Sequence, residues 1–218
     1  MMHNSEKLII LGAGGHCRSV LDSIDRKVYT DIAIVSALED VGKAVYGVPV
    51  VGTDDIICEL FDQGYTQAVI AIAALENPKL RESLYQLCES IGLLFPTIID
   101  QTAIVSKNAT IVNDGVFIGK GAIINAGAIV GRCSIINSGV IIDHDTSIGC
   151  FTHVASGVSI SGGVFIGNYS LIGVGSSVIQ SVEVGENTIV GAGSVVVGNI
   201  ESNVVAYGNP CKVIKTRE

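Results

Sequence analysis

The sequence predicts a small parallel α/β domain over residues 1–97, followed by a parallel β-solenoid over residues 98–218. Three observations carry this reading. From Val112 to Val196 every sixth residue is valine or isoleucine, without exception. Four residues after each comes a small or β-branched residue, as at Ala122, Ser134, Thr146, Thr152, Ser170 and Ser194. Before that register begins, buried-strand patterns alternate with helical ones. A period of six fits neither the turn of a helix nor the alternation of a lone half-buried strand. It fits a short strand, a corner and another short strand, repeated, with one aliphatic per side pointing to a common axis.

In the first domain, Lys7 to Leu11 reads as a buried strand and Gly12-Ala13-Gly14-Gly15-His16 as a glycine turn. Cys17 to Ile24 reads as a helix with Val20, Leu21 and Ile24 on one face. Ile32 to Val35 is a second strand, and Val48 to Gly52 a short extended piece. Thr53 or Asp54 can cap the helix carrying Ile56, Ile57 and Leu60. Gln67 to Ala74 is a third buried strand. Pro78 suits the first turn of a helix reaching Ile91, with Leu80, Leu84 and Leu87 as its apolar stripe. Pro96 marks the boundary. The glycine turn is not a dinucleotide fingerprint: position 17 is Cys where the third glycine would stand, and the second strand ends Val35-Ser36-Ala37 with no acid for a ribose diol. Its N–H groups still suit a phosphate or sugar oxygen.

In the solenoid, the position after each aliphatic is mostly Gly or Asn, as at Gly119, Asn125, Gly131, Gly149, Gly167 and Gly185. Tight corners favour residues that tolerate positive φ, which predicts the corner at that position. Before Val112 the aliphatic slot falls on Ser106 and Asp100, so the first coil is expected to be frayed.

Composition narrows the function classes. A net charge of −8 argues against a nucleic-acid surface, so an anionic substrate needs local help from backbone N–H groups or a few Lys and Arg. Six cysteines without a CxxC or scaffold spacing predict reduced thiols in a cytoplasmic protein. The opening hydrophobic run is too short for a signal peptide or membrane span, so no membrane insertion is expected.

The hexapeptide register resembles that of the hexapeptide-repeat acyltransferases, which implies a left-handed parallel β-helix with three hexapeptides per coil. Three further segments, LIILGAGGH, VPVVGTDD and VIAIAALENPKLR, together with the terminal YGNPCKVIK, resemble the sialic acid O-acetyltransferase (NeuD/PglD-type) family over essentially the whole chain. The resemblance implies an N-terminal domain that holds the acceptor, typically a nucleotide-linked amino sugar. It implies a homotrimeric β-helix that holds acetyl-CoA between neighbouring subunits, with no metal. The acceptor positions it matches are Gly14, Gly15, His16, Ser36 and Ala73. Two of these depart from the family: its usual glycine after the third strand is Ala73 here, and its acidic pair after the second strand is Ser36-Ala37.

The chemistry of acetyl transfer to an amine needs a base, and imidazole titrates near neutral pH. His144 stands between Asp143 and Asp145, and a carboxylate on its second ring nitrogen would fix the tautomer. Spacing alone leaves either aspartate open; the resemblance assigns Asp145. One coil on from His144 lies Gly162, whose N–H the resemblance places on the thioester oxygen. Val174 and Ala192 should stack on each other, one hexapeptide out of phase with His144, and His153 matches a cofactor-binding histidine. Asn137 also matches a family position, Gly208-Asn209-Pro210 resembles the cap after the last coil, and Lys212, Lys215 and Arg217 are candidates for a CoA phosphate.

The expected activity is acetyl-CoA-dependent N-acetylation of a nucleotide-linked amino sugar, of the UDP-4-amino-dideoxy type, in bacterial surface-glycan synthesis. The first alternative is O-acetylation of sialic acid or a related sugar. The alternative from another class is a metal-dependent hydratase of the γ-carbonic anhydrase kind, which wants three convergent histidines. The β-helix region offers two, His144 and His153. The non-enzymatic alternative is a structural solenoid or an ice-binding surface; the latter would show a regular outward threonine ladder, which the sequence lacks.

Overall fold

The computed structural model describes residues 6–73 and 78–217. The chain divides into two compact units, the first ending at Ile98 and the second beginning at Ile99.

The first unit is a parallel α/β layer. Its elements are β1 (Glu6–Leu11), α1 (Gly15–Ser23), β2 (Tyr29–Val35), β3 (Ala44–Val45), β4 (Val48–Gly52), α2 (Ile57–Asp62), β5 (Gln67–Ile70) and α3 (Pro78–Ile91). The sheet order among the described residues is β3-β4-β2-β1-β5, parallel from β4 to β5. Leu8 to Leu11 and Ile32 to Val35 are buried throughout, the continuous apolar pattern of a sheet covered on both faces. This is a small Rossmann-like sheet.

Four expectations need correction here. β3 and β4 form an antiparallel hairpin absent from the sequence reading. Its turn, Tyr46-Gly47, takes positive φ at both residues, the geometry of a type I′ turn, and only two residues precede it as strand. The third strand ends at Ile70, and Ala74 lies outside the described residues. Thr53 does not cap with its side chain; it opens a 3₁₀ turn over Asp54–Ile56, and its hydroxyl donates to Asp55. Finally, α3 buries Arg81, Leu84, Tyr85 and Cys88, while Leu80 and Leu87 are exposed. Both sets satisfy helical spacing. Tyr85 decides between them by stacking on Phe95, with ring centroids 4.6 Å apart.

The second unit is the left-handed parallel β-helix. Two-residue strands stack in three parallel sheets, with each coil in register with the next. One face carries the ladder Ile118-Ile136-Val154-Ile172-Val190. The second carries Ile124-Ile142-Ile160-Val178-Val196, and the third Val130-Ile148-Ile166-Val184. These aliphatics fill one continuous buried core. The small buried residues of the repeat also have work to do. The hydroxyls of Ser134, Thr146, Thr152 and Ser170 donate to main-chain carbonyls of the next coil, at 2.6, 2.9, 2.9 and 2.8 Å. They satisfy main-chain oxygens at the corners.

The corners differ from expectation. Positive φ falls three residues after each aliphatic from Ile118 to Val190, at Gly121, Gly139, Asp145, Gly157, Tyr169 and their equivalents. The glycines directly after the aliphatics have a different cause. A Cβ at Gly149 would lie 2.6 Å from the amide nitrogen of Asn168, and one at Gly167 would lie 2.4 Å from that of Glu186. Glycine there lets successive coils approach.

The first coil is out of phase rather than frayed. Val130 pairs with Ile111 and Ile124 with Val105, so one extra residue between Ile111 and Ile118 shifts the register. Val105 and Ile111 therefore hold the inward slots expected at Ser106 and Val112, and Val112 is exposed. Asp100 is buried and ion-pairs with Lys120 at 3.2 Å. At the other end, strand Val204–Tyr207 continues the first face and strand Lys212–Thr216 folds back on it antiparallel. Among the described residues no helix is long and apolar enough to cross a membrane.

Candidate active site

The corner between the second and third faces carries His144. Two strands flank it, Ile141–Ile142 before and Ser147–Ile148 after. Asp145 adopts φ +58°, which turns its carboxylate back onto the imidazole, and Oδ2 lies 2.9 Å from His144 Nδ1. Gly127, one coil below, makes room: a Cβ there would lie 2.4 Å from Asp145 Oδ1. Asp143 has a different task. Its Oδ1 accepts the His144 main-chain N–H at 2.7 Å and the Asn125 side-chain amide at 3.1 Å. One aspartate holds the ring and the other holds the backbone. The hydrogen bond to Asp145, and then the charge of Asp143, hold the imidazole above its ordinary pKa.

Gly162 stands one coil above, close against the imidazole. A Cβ on it would lie 2.6 Å from both Cε1 and Nε2 of His144. The next amide, Gly163, donates to the His144 carbonyl at 2.9 Å. Nε2 and the Gly162 backbone thus share one small space, open to solvent because His144 is 63% exposed.

Val174 and Ala192 occupy the corner between the first and second faces, after strands Leu171–Ile172 and Ile189–Val190. They stack on successive coils, and Gly193 donates to the Val174 carbonyl at 2.8 Å. Both are exposed. Asn137 belongs to this corner too, following strand Ile135–Ile136. His153 lies half-buried in the first face, between Ile135 and Leu171. The two histidines of the β-helix therefore stand on different sides of it. Among the described residues no group of three His, Cys, Asp or Glu could hold a metal ion.

In the first unit a cavity of about 700 Å³ opens at the C-terminal ends of the parallel strands. All five acceptor candidates, Gly14, Gly15, His16, Ser36 and Ala73, line it. Gly14 caps α1, and the first residues of that helix, Gly15 and His16, line the cavity. Ser36 braces the glycine turn: its hydroxyl accepts the Ala13 N–H at 3.2 Å and donates to Asp40 at 3.1 Å. Sequence reasoning missed the opposite wall, Thr53, Asp54 and Asp55, by treating those residues as a helix cap. Leu80 also lines the cavity, which explains its exposure.

Comparison with known proteins gives a consistent result. The family model described as the PglD N-terminal domain matches residues 7–87. PerB from Caulobacter crescentus, solved with CoA and GDP-perosamine, superposes with a TM-score of 0.89 at 36% identity, covering 95% of this chain and 97% of that one. The acetyltransferase domain of PglB from Neisseria gonorrhoeae FA1090, solved with acetyl coenzyme A, gives 0.88 at 29% identity, covering 97% and 100%. WeeI from Acinetobacter baumannii AYE, at 21% identity and a TM-score of 0.78 over 96% and 100%, shares the fold. No curated protein matches the chain.

Proposed function

The chain belongs to the PglD/NeuD-type family of hexapeptide-repeat sugar acetyltransferases, and from that premise we propose that it moves the acetyl group of acetyl-CoA onto the amine of a nucleotide-linked sugar. The observation that carries this reading is the His144–Asp145 pair seated over Gly162. With Nδ1–H donated to Asp145, Nε2 is left as the proton acceptor. The amine nitrogen attacks the thioester carbon, the new C–N bond forms, and His144 Nε2 removes the proton that nitrogen loses. The Gly162 N–H is assigned to stabilise the developing oxyanion. Collapse breaks the C–S bond, and the proton held on His144 restores the CoA thiol.

Val174, Ala192 and His153 are assigned to the pantetheine path. Their distance around the coil from His144 supports a homotrimer, in which this corner of one subunit completes the His144 corner of the next. Exposed Ile104 and Ile141 on one face, with Ile129 and Phe165 on the adjoining face, flank the His144 corner and favour its coverage by a partner. Gly14, Gly15, His16, Ser36 and Ala73 are assigned to the acceptor, with a phosphate at the start of α1. A nucleotide sugar and acetyl-CoA as substrates support a cytoplasmic reaction.

The first expectation for the acceptor is a UDP-linked 4-amino-dideoxy sugar; PerB was solved with a GDP-linked one. A screen of UDP-, GDP- and dTDP-linked amino sugars and sialic acid, following thiol release from acetyl-CoA, tests the reading. Release with at least one amino sugar and an amide product supports it. Release with sialic acid alone replaces it with O-acetylation.

A further inference from the structure

The cavity of the first unit has an order that its lining reveals. Thr53–Asp55 follows β4, Ser36–Leu38 follows β2, the glycine turn follows β1, and Ala71–Ala73 follows β5. Those strands are neighbours in the order β4-β2-β1-β5. Adjacent strands lie about 4.8 Å apart, so the β4 loop stands roughly 10 Å from the glycine turn, with the β2 loop between them. A phosphate held at the glycine turn then sets the rest of the nucleotide. A nucleotide extended along the strand ends toward β4 then carries its ribose past the β2 loop and its base toward the β4 loop.

The ribose position falls over Ser36 and Ala37, which offer no acid, and the Ser36 hydroxyl is already bonded on both sides. The carboxylates lie one strand further, at the base position. Asp55 accepts the Thr53 hydroxyl, whereas the Asp54 side chain makes no hydrogen bond among the described residues. Leu38, 77% exposed, and Leu80, 42% exposed, also line the cavity and give it apolar surface for the flat faces of a base.

A carboxylate is an acceptor with two oxygens, so it selects an edge with two adjacent donors. Guanine has one, N1–H beside N2–H₂. Uracil and thymine set a single N–H between two carbonyl oxygens, which a carboxylate repels. Cytosine and adenine pair an amino group with an unprotonated ring nitrogen, which it also repels.

We propose that Asp54 reads the pairing edge of guanine, which makes the acceptor a GDP-linked amino sugar. This rests on the cavity being the acceptor site. Calorimetric titration of the full chain with GDP, UDP and dTDP, and separately with acetyl-CoA, tests it. GDP should bind at least about tenfold more tightly than UDP or dTDP, and Asp54→Asn should weaken GDP by roughly 10- to 100-fold, the worth of hydrogen bonds to a charged group. UDP and acetyl-CoA affinities should stay as they are. Equal binding of GDP and UDP by the wild type, or equal weakening of both in Asp54→Asn, overturns the base assignment while leaving the cavity as a nucleotide site. Binding of acetyl-CoA with none of the three diphosphates overturns the acceptor reading itself.

Discussion

Asp145 and Asp143 both favour the charged form of His144, so the neutral imidazole that the proposed mechanism needs is scarce at mildly acidic pH. The rate should therefore rise with pH through a limb above the ordinary histidine value of about 6.5. Asp145→Asn removes the largest of the raising influences, and a pH–rate profile should show that limb moved downward; a limb that stays in place denies the pairing a role in turnover. His144→Ala should lower kcat by roughly 10²–10⁴, with acetyl-CoA affinity nearly unchanged, since the thioester contacts are assigned to Gly162, Val174 and Ala192. Gly162→Ala is a subtler probe. Its backbone tolerates Ala, but the Cβ would occupy the space of the ring, which is exposed and can swing away. Displacement of about 1 Å should cost up to roughly 10²-fold in kcat with little change in melting temperature. A fully active Gly162→Ala enzyme would show that the ring does not work from this position. Residue spacing alone could not choose between the two aspartates, since the pairing of Asp145 with the ring goes with a backbone geometry, φ +58°, that spacing does not encode.

At the level of the coil, the six-residue register was legible because each aliphatic slot is independently buried and each coil repeats the same demand. What lay outside it was the reason for each glycine. Gly139 has φ +67° and open space around it, whereas Gly167 has an ordinary φ and no room for a Cβ. Gly139→Ala should cost about 1–2 kcal/mol, the left-handed penalty for an L-residue. Gly167→Ala must push two coils apart and should cost as much or more, about 1–3 kcal/mol by overpacking, with the loss localised there in hydrogen exchange. Urea midpoints compare the two directly. If Gly167→Ala is neutral while Gly139→Ala is not, positive φ alone governs the corners. The same local blindness produced the error at Val112: an inserted residue leaves the spacing of valines and isoleucines intact while moving the burial to Ile111. In the first unit, α3 offered two stripes of equal spacing, and only the stacking of Tyr85 on Phe95 chose between them.

For the whole molecule, the division into an α/β unit and a β-helix could be read from a change of period, since strand–helix alternation gives way to sixes. The cavity of the first unit was half legible. Its glycine turn is a sequence signal, but its acidic wall becomes visible only when the strand order brings Thr53–Asp55 to the same edge. The central claim is that a working site takes His144 from one subunit and the Val174–Ala192 corner from another. It is tested by building mixed trimers from two disabled chains, one carrying His144→Ala and the other Ala192→Phe, which fills the pantetheine path. Each variant alone should be inactive. In oligomers purified through a different tag on each chain, one site of the three pairs an intact His144 with an intact Ala192, so turnover should return to about one third of wild type. Mixed trimers that stay as inactive as their parents would contradict the shared site.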